Sequence, residues 1–374
     1  MSKPVIAFVV SYFPIAPGGA ELQSYLIAKS LRNELDIHFI SMSNRHEKSG
    51  KIEQDGFTIW FIPKRPIARR LFCHDEFLNY YKIKKIFNQI KPVYVYQRCI
   101  GYNTWICGNL KKRLNYRFIL HVANDNDLSP ALSTGIRYIV FKIEKILSRK
   151  GASLADKIFV QNKFQAKSCI DFLHRNDYEI VYNFSHVLDY PIIKNTKPIH
   201  VIWVANIKPI KNPSLYLDIV KYFSNNPNVD FTMAGIPGSN EIMEEIYQIE
   251  KNTKNFKYVG YISNDDVNNS LERSHLLINT SFYEGFSNTF VQAWFRKCPV
   301  LSYRVNPDNL ISEHSLGFCA NGDKNLMIAF LNDYIFNYRK REELENKSLL
   351  FAVNNLSDKV ILPKIKTGII GYEK

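Results

Sequence analysis

The 374-residue sequence contains no C-x-x-C pair, no apolar run near the ~20 residues that a membrane span needs, and no short repeat or low-complexity segment. The first absence removes the common zinc and dithiol motifs. The six cysteines (Cys73, Cys99, Cys107, Cys169, Cys298 and Cys319) stand singly, which suits a reducing compartment. G-x-G-x-x-G is missing, which argues against a standard dinucleotide fingerprint, and no nucleic-acid-binding motif is recognisable. The first apolar stretch, Val5 to Val10, is shorter than the roughly 7–15 residues of a signal-peptide core, and Pro14 and Pro17 follow it. It is expected to form a buried first strand in a cytoplasmic chain.

What is present is a globular composition, 46% hydrophobic and 14% aromatic. The length exceeds one ordinary core and predicts two domains. The net charge of +14 is unevenly spread: residues 1–190 hold 28 Lys and Arg against 16 Asp and Glu, and the remainder 21 against 19. The excess sits in Lys64, Arg65, Arg69, Arg70; Lys82, Lys84, Lys85; Lys111, Lys112, Arg113, Arg117; and Arg149, Lys150. Such a half suits a solvated helix face, an anionic membrane surface, a phosphorylated substrate or, least well, nucleic acid.

Short β-branched runs alternate with helical stretches. Val5 to Val10, Asp36 to Ile40, Thr58 to Ile62, Val93 to Tyr96, Phe118 to His121 and Lys157 to Val160 read as strands; Glu21 to Arg32 and His74 to Asn88 read as helices. LDYPIIKNTKP, Leu188 to Pro198, reads as a linker. The alternation restarts with strands at His200 to Val204, Asp230 to Ala234, Tyr258 to Val259, Leu276 to Asn279 and Val300 to Tyr303. Helices are expected at Pro213 to Phe223, Glu241 to Glu250, Asn264 to Arg273 and from Thr289 to Phe295. The fold class is therefore α/β: two Rossmann-like, doubly wound parallel-sheet domains facing a central cleft, with ligands at the carboxyl ends of the strands.

Four segments carry candidate chemistry. SFYEGFSNTFVQAW follows an apolar strand, and its turn ends in Ser287 and Asn288, good N-cap residues. The N–H groups of Ser287, Asn288 and Thr289 would offer a helix N-terminus to phosphate. Glu284, before Gly285 and Phe286, would accept from sugar hydroxyls, and Gln292 lies further along the helix. An ordinary strand–turn–helix unit with a surface Glu explains the same residues. In SYFPIAPGGAELQ, Gly18 and Gly19 allow close backbone approach or positive φ, or form a plain turn. In VIWVANIKPIKNP, Lys208 and Lys211 suit a diphosphate, or are two solvated lysines. In HVANDNDLSP, Asp125 and Asp127 suit a divalent metal less well than a turn that bonds its own backbone, and His121 is either a cleft donor or a satisfied strand-end histidine.

Taken in order, PGGAE, WVANIKPIKNP, GIPG, YVGYI and SFYEGFSNTFVQAW make the chain resemble the retaining glycosyltransferases of family 4, in glycosyl transferases group 1, which have the GT-B fold. The resemblance implies an acceptor-binding first domain, residues 1–190, and a donor-binding second domain, 196–350, with the tail, about 350–374, packing back on the first. It implies catalytic roles for Glu284, Lys211 and His121, although Ala123 or Asn124 aligns equally well with the family's cleft histidine. The donor would be bound by Gly18, Gly19, Asn206, Lys208, Lys211, Glu284, Gly285, Phe286, Ser287, Asn288, Thr289 and Gln292. Gln292 stands where the family has a second Glu on the ribose, and Asn206 where it has Arg. The implied donor is a UDP- or GDP-linked sugar, used without metal or other cofactor. The implied acceptor is a glycan or lipid-linked saccharide in cell-surface polysaccharide assembly, at an anionic membrane surface on the cytoplasmic side. The chain is expected to be a monomer or weak dimer. The alternatives are a nucleotide-sugar epimerase of the same form and a basic nucleic-acid-binding protein.

Overall fold

The structure is a computed structural model that describes residues 3–43, 50–63, 76–128 and 136–371. The cluster at Lys64, Arg65, Arg69 and Arg70, Cys73 and the expected helix start at His74 lie outside the described residues. The chain divides into two compact units, residues 1–182 with 361–374, and 183–360. The division falls at Tyr182, ahead of the stretch read as a linker. That stretch is tied to the second unit: Tyr190 donates to Glu272 (2.7 Å) and Lys194 to the Lys297 carbonyl (2.6 Å). Of the tail, Ile361–Lys374 belongs to the first unit.

The first unit holds strands β1 (Val5–Val9), β2 (Asp36–Ser43), β3 (Gly50–Gln54), β4 (Phe57–Pro63), β5 (Tyr94–Arg98), β6 (Arg117–His121), β7 (Lys157–Val160) and β8 (Tyr178–Ile180). They form one sheet in the order β3-β4-β2-β1-β5-β6-β7-β8, parallel except for β3 on β4. The apolar strands are buried on both faces, as a helix-covered parallel sheet requires. One face carries an aromatic stack, with Phe8 5.1 Å from Phe39 and 5.0 Å from Tyr96 between ring centroids. β3 is an exposed polar edge, joined to β4 by an Asp55–Gly56 turn with φ of 57° and 80°, the geometry that Asp-Gly hairpins favour. Helices Tyr102–Leu114 and Ile136–Ala152 cross closely because Gly108 and Gly151 meet there; a Cβ on Gly108 would lie 2.6 Å from the Gly151 carbonyl oxygen.

The second unit holds β9 (Ile199–Val204), β10 (Val229–Ala234), β11 (Phe256–Tyr258), β12 (Leu276–Asn279), β13 (Val300–Ser302) and β14 (Gly317–Cys319). All pair in parallel in the order β11-β10-β9-β12-β13-β14. Counted from β9 this is 3-2-1-4-5-6, the doubly wound order, and the direction of winding reverses between β9 and β12. The core packs Trp203, Tyr216, Phe231 and Met233 with Ile246, Leu331 and Tyr334. Helices Lys324–Phe336, Tyr338–Leu356 and Asp358–Ile370 follow β14, a region where the sequence reading named no element. Among the described residues no helix is long and apolar enough to cross a membrane.

Candidate active site

In an open α/β sheet the crevice at the point of reversal is where ligands bind, because the two loops leaving it part in opposite directions. In the second unit those loops are residues 205–212 after β9 and 280–287 after β12. They are stitched together by their own backbone. Phe282 N–H donates to the Ile210 carbonyl (3.0 Å), and the Thr280 hydroxyl donates to the Lys211 carbonyl (2.7 Å). Thr280 in turn accepts from the buried Trp203 indole N–H (2.8 Å).

This stitching brings two side chains far apart in sequence into contact. Lys211 Nζ lies 3.1 Å from Glu284 Oε2, with only 24% and 13% of the two side chains exposed. The other carboxylate oxygen, Oε1, accepts from Asn279 Nδ2 (2.7 Å) and Ser281 Oγ (2.6 Å). Burial pushes the Glu284 carboxyl up, but the Lys211 ammonium and the bonds from Ser281 and Asn279 outweigh it and hold the group below the usual carboxylate range. Glu284 is thus a fixed carboxylate, and the site keeps a cation and an anion side by side at the reversal point.

The turn after Glu284 is pinned where Asn183 Nδ2 donates to the Phe286 carbonyl (2.6 Å). It ends in helix Asn288–Trp294, whose N-cap Ser287 makes no side-chain capping bond. The Ser287 hydroxyl therefore does not occupy the first-turn N–H groups of Asn288 and Thr289. The Asn288 side-chain oxygen is buried without a hydrogen-bond partner among the described residues. Across the sheet, Gly235 lets β10 pass close under the β9 loop: a Cβ there would lie 1.8 Å from the Ala205 carbonyl oxygen.

Residues 190–348 match the family model described as Glycosyl transferases group 1. The match lies within the second unit and includes the whole Lys211–Glu284 site. No curated protein matches the sequence. Solved structures do match, over nearly the whole chain. Sucrose-phosphate synthase of Thermosynechococcus elongatus is 11% identical with a TM-score of 0.78, covering 98% of both chains. Anabaena HepE in complex with UDP-glucose is 16% identical at 0.72, covering 97% of this chain and 98% of that one. A mutant of S. aureus TarM, in complex with UDP, alpha-GlcNAc-glycerol and Fondaparinux, is 12% identical at 0.70, covering 98% and 99%. These structures establish a GT-B fold of two parallel-sheet α/β domains, and the family match supports glycosyl transfer.

Asn206 and Lys208 are exposed on the β9 loop, and Lys208 has no ion pair among the described residues. Gln292 Nε2 donates to Asn264 Oδ1 and Asn268 Oδ1, 2.9 Å each, so both donors are spent and only its carbonyl oxygen remains to accept.

Gly18, Gly19 and His121 belong to the first unit. Gly18 has φ −172°, an extended conformation open to any residue, so positive φ is not its reason; a Cβ there would meet only the flexible Glu21 carboxylate, 2.2 Å away. Gly19 opens the helix Gly19–Leu31 and is exposed. His121 ends β6 fully buried, its Nδ1 2.8 Å from the Tyr96 hydroxyl and 3.3 Å from Arg98. Burial and then the Arg98 charge hold it well below the usual imidazole range, so the ring is neutral; Nε2 has no hydrogen-bond partner among the described residues.

Asp125 and Asp127 serve the protein itself. Asp125 Oδ1 accepts from Asn162 (3.0 Å) and Gln165 (2.9 Å), and Asp127 Oδ2 from the backbone N–H groups of Ile100, Ala123 and Asn124. Burial pushes Asp127 up to about 6 despite these bonds. Among the described residues no group of three or more His, Cys, Asp or Glu could hold a metal ion.

Sequence reasoning missed Asn279, Thr280 and Ser281, which orient Glu284 and lock the loops. Their signal was the polar run N-T-S at the carboxyl end of an apolar strand.

Proposed function

We propose that the chain is a retaining glycosyltransferase of family 4 that moves a sugar from a nucleoside diphosphate sugar to a saccharide acceptor. The observation that carries the reading is the Lys211–Glu284 pair, held between stitched loops at the reversal point of a unit that matches a glycosyltransferase family. HepE in complex with UDP-glucose and TarM in complex with UDP and alpha-GlcNAc-glycerol support a nucleotide-sugar donor and a saccharide acceptor; the donor in this reading is UDP-linked or GDP-linked.

The hard step is cleavage of the bond between the anomeric carbon and the diphosphate, which builds negative charge on the departing phosphate oxygen. A cation fixed beside that oxygen lowers the barrier, because it needs no reorganisation as the charge develops. Lys211 fills this role, with the N–H groups of Asn288 and Thr289 as further donors. Glu284, kept ionised and oriented by Asn279 and Ser281, accepts from donor-sugar hydroxyls and positions the anomeric carbon. The Gln292 carbonyl oxygen accepts from a ribose hydroxyl. The acceptor hydroxyl attacks from the side the leaving group departs, its proton passes to the leaving phosphate, and nucleoside diphosphate is released with configuration retained. Lys211 supplies positive charge without a metal. The acceptor in this reading is a glycan or lipid-linked saccharide at the cytoplasmic face of an anionic membrane, in surface polysaccharide assembly.

A thermal-shift panel of UDP- and GDP-sugars tests donor binding, since a ligand of the folded state raises Tm by mass action. One member of the panel should raise Tm, and Glu284→Ala should abolish the rise; no rise with any member overturns the reading. Nucleotide release that depends on a saccharide acceptor supports transfer, whereas epimerised donor without acceptor overturns it in favour of an epimerase. Loss of turnover in EDTA would remove the metal-free part alone.

A further inference from the structure

The helix Ile136–Ala152 turns one face inward and leaves an apolar face outside. At 100° per residue, Ser148, Gly151 and Ala152 share one side and are buried, with Gly151 against the Thr104 carbonyl. Ile139, Ile143 and Ile146 fall on the opposite side, spaced i, i+4, i+7, and are 58%, 48% and 46% exposed. Isoleucines at this spacing normally face a core, so three in a row in solvent mark an interaction surface.

The charges beside the stripe decide what covers it. Lys150 lies in line with the isoleucines, and Lys142 and Arg149 lie along one side of them, all three exposed, with Arg149 also donating to the Phe172 carbonyl. Glu144 is the helix's only acidic residue and falls on the inward side. The next helix, Lys163–Ser168, repeats the combination by exposing Phe164 (58%) beside Lys163 and Lys167. A second copy of a chain with net charge +14 would bring like charges together across this face, which disfavours self-association. An apolar stripe set in basic residues fits a bilayer interface: the side chains enter the acyl boundary while lysine and arginine meet anionic headgroups.

We propose that the helix Ile136–Ala152 seats the first unit on an anionic bilayer through Ile139, Ile143 and Ile146. This deepens the membrane-held acceptor reading by naming the surface that touches the membrane. The helix follows the loop leaving the carboxyl end of β6, so its N-terminal half, with Ile139 and Ile143, is the part nearest the sheet edge where this fold class binds ligands.

The test is co-sedimentation of the whole chain with sucrose-loaded vesicles of phosphatidylcholine, with and without about a third phosphatidylglycerol, at low and high salt. The wild-type chain should partition onto the anionic vesicles, salt-sensitively, and not onto the neutral ones. The triple substitution Ile139→Ser, Ile143→Ser, Ile146→Ser alters only exposed positions and should weaken partitioning at least tenfold, while leaving the donor-induced rise in Tm intact. No binding of the wild type at low salt, or equal binding of the triple variant, overturns the proposal. A wild-type dimer in sedimentation velocity that the triple variant dissolves, without vesicle binding, reassigns the face to a second copy. Vesicle binding with no response to any nucleotide sugar would leave the docking surface standing and overturn the reading of the Lys211 site.

Discussion

In the first unit the parallel strands run β4-β2-β1-β5-β6-β7-β8, and in the second β11-β10-β9-β12-β13-β14, so the winding reverses between β1 and β5 in one and between β9 and β12 in the other. What stands at the reversal differs. In the second unit two loops are bonded to each other and hold Lys211 against Glu284. In the first unit, the β1 loop leads through Gly18 into a helix, and the polar groups ending β5 and β6 turn inward. Gln97 accepts from Thr104 (2.9 Å), and Tyr96, Arg98 and His121 contact one another in the interior. One scaffold thus carries a partly exposed charged pair in one copy and a buried polar network in the other; the loops, not the strand order, set the chemistry. The family match follows the same division, since residues 190–348 lie wholly in the second unit.

The sharpest way to break this comparison is at the pair itself. Lys211→Ala should lower transfer by roughly 10²–10³-fold, the size of one lost transition-state donor. It should also destabilise the second unit, because a mostly buried carboxylate is left without its cation. Glu284→Gln keeps the shape and should cost turnover more than stability. In a double-mutant cycle the two residues should couple by about 1–3 kcal/mol. Because the Glu284 carboxyl is held below its usual range, the pair's contribution is intact above that range and is lost as pH falls below it, through the lower folded-state pKa. His121→Ala is the control from the first unit. If it cut turnover as deeply as Lys211→Ala at unchanged stability, the contrast between the units would fail.

Glycine gives the next largest effect. Gly235→Ala places a methyl group 1.8 Å from the backbone oxygen of Ala205 and should destabilise by about 3 kcal/mol, read by chemical denaturation. Gly18→Ala meets only the movable end of Glu21 from an extended backbone and should cost under about 1 kcal/mol. Equal costs would remove the distinction between a packed glycine and a permissive one.

Asp127 offers a smaller test, confined to the first unit. Its folded-state pKa of about 6 lies above that of an unfolded aspartate, so the folded chain binds the extra proton between about pH 4 and 6. Its contribution to stability therefore falls as pH rises through that window. Asp127→Asn should flatten the window and be the more stable form at pH 7, by an amount of the order of 2 kcal/mol. A variant with the wild-type pH dependence would show that another group titrates there.

These contrasts also explain what the sequence made readable. Strands such as Val5–Val9 and Ile199–Val204 are buried on both faces, so their apolar runs announced them. β3, β8 and β14 are short, or polar and exposed, and carried no such run, although the Asp-Gly turn beside β3 was a usable signal. Glu284 and Lys211 were readable as members of recognisable segments. Their direct contact was not, because it depends on which strands become neighbours, and β9 and β12 pair only after three crossovers. Gln292 shows the converse: its place in the motif was plain, but its hydrogen-bond partners were not, because Asn264 and Asn268, which take both its donors, sit on another helix.

The smallest predicted effect separates the two lysines of one loop. Lys208 and Lys211 both leave β9 and both looked like diphosphate ligands, yet Lys211 is held against Glu284 while Lys208 is exposed with no ion pair among the described residues. A charge in solvent acts through a high dielectric and is screened by salt, whereas a half-buried one is not. Lys208→Ala should therefore lower kcat/KM by no more than about threefold, chiefly through KM, and the deficit should shrink as salt is raised. Lys211→Ala should keep its deficit in kcat at any salt. A salt-independent loss at Lys208 as large as that at Lys211 would mean that the loop rearranges on donor binding and brings both ammonium groups to the diphosphate.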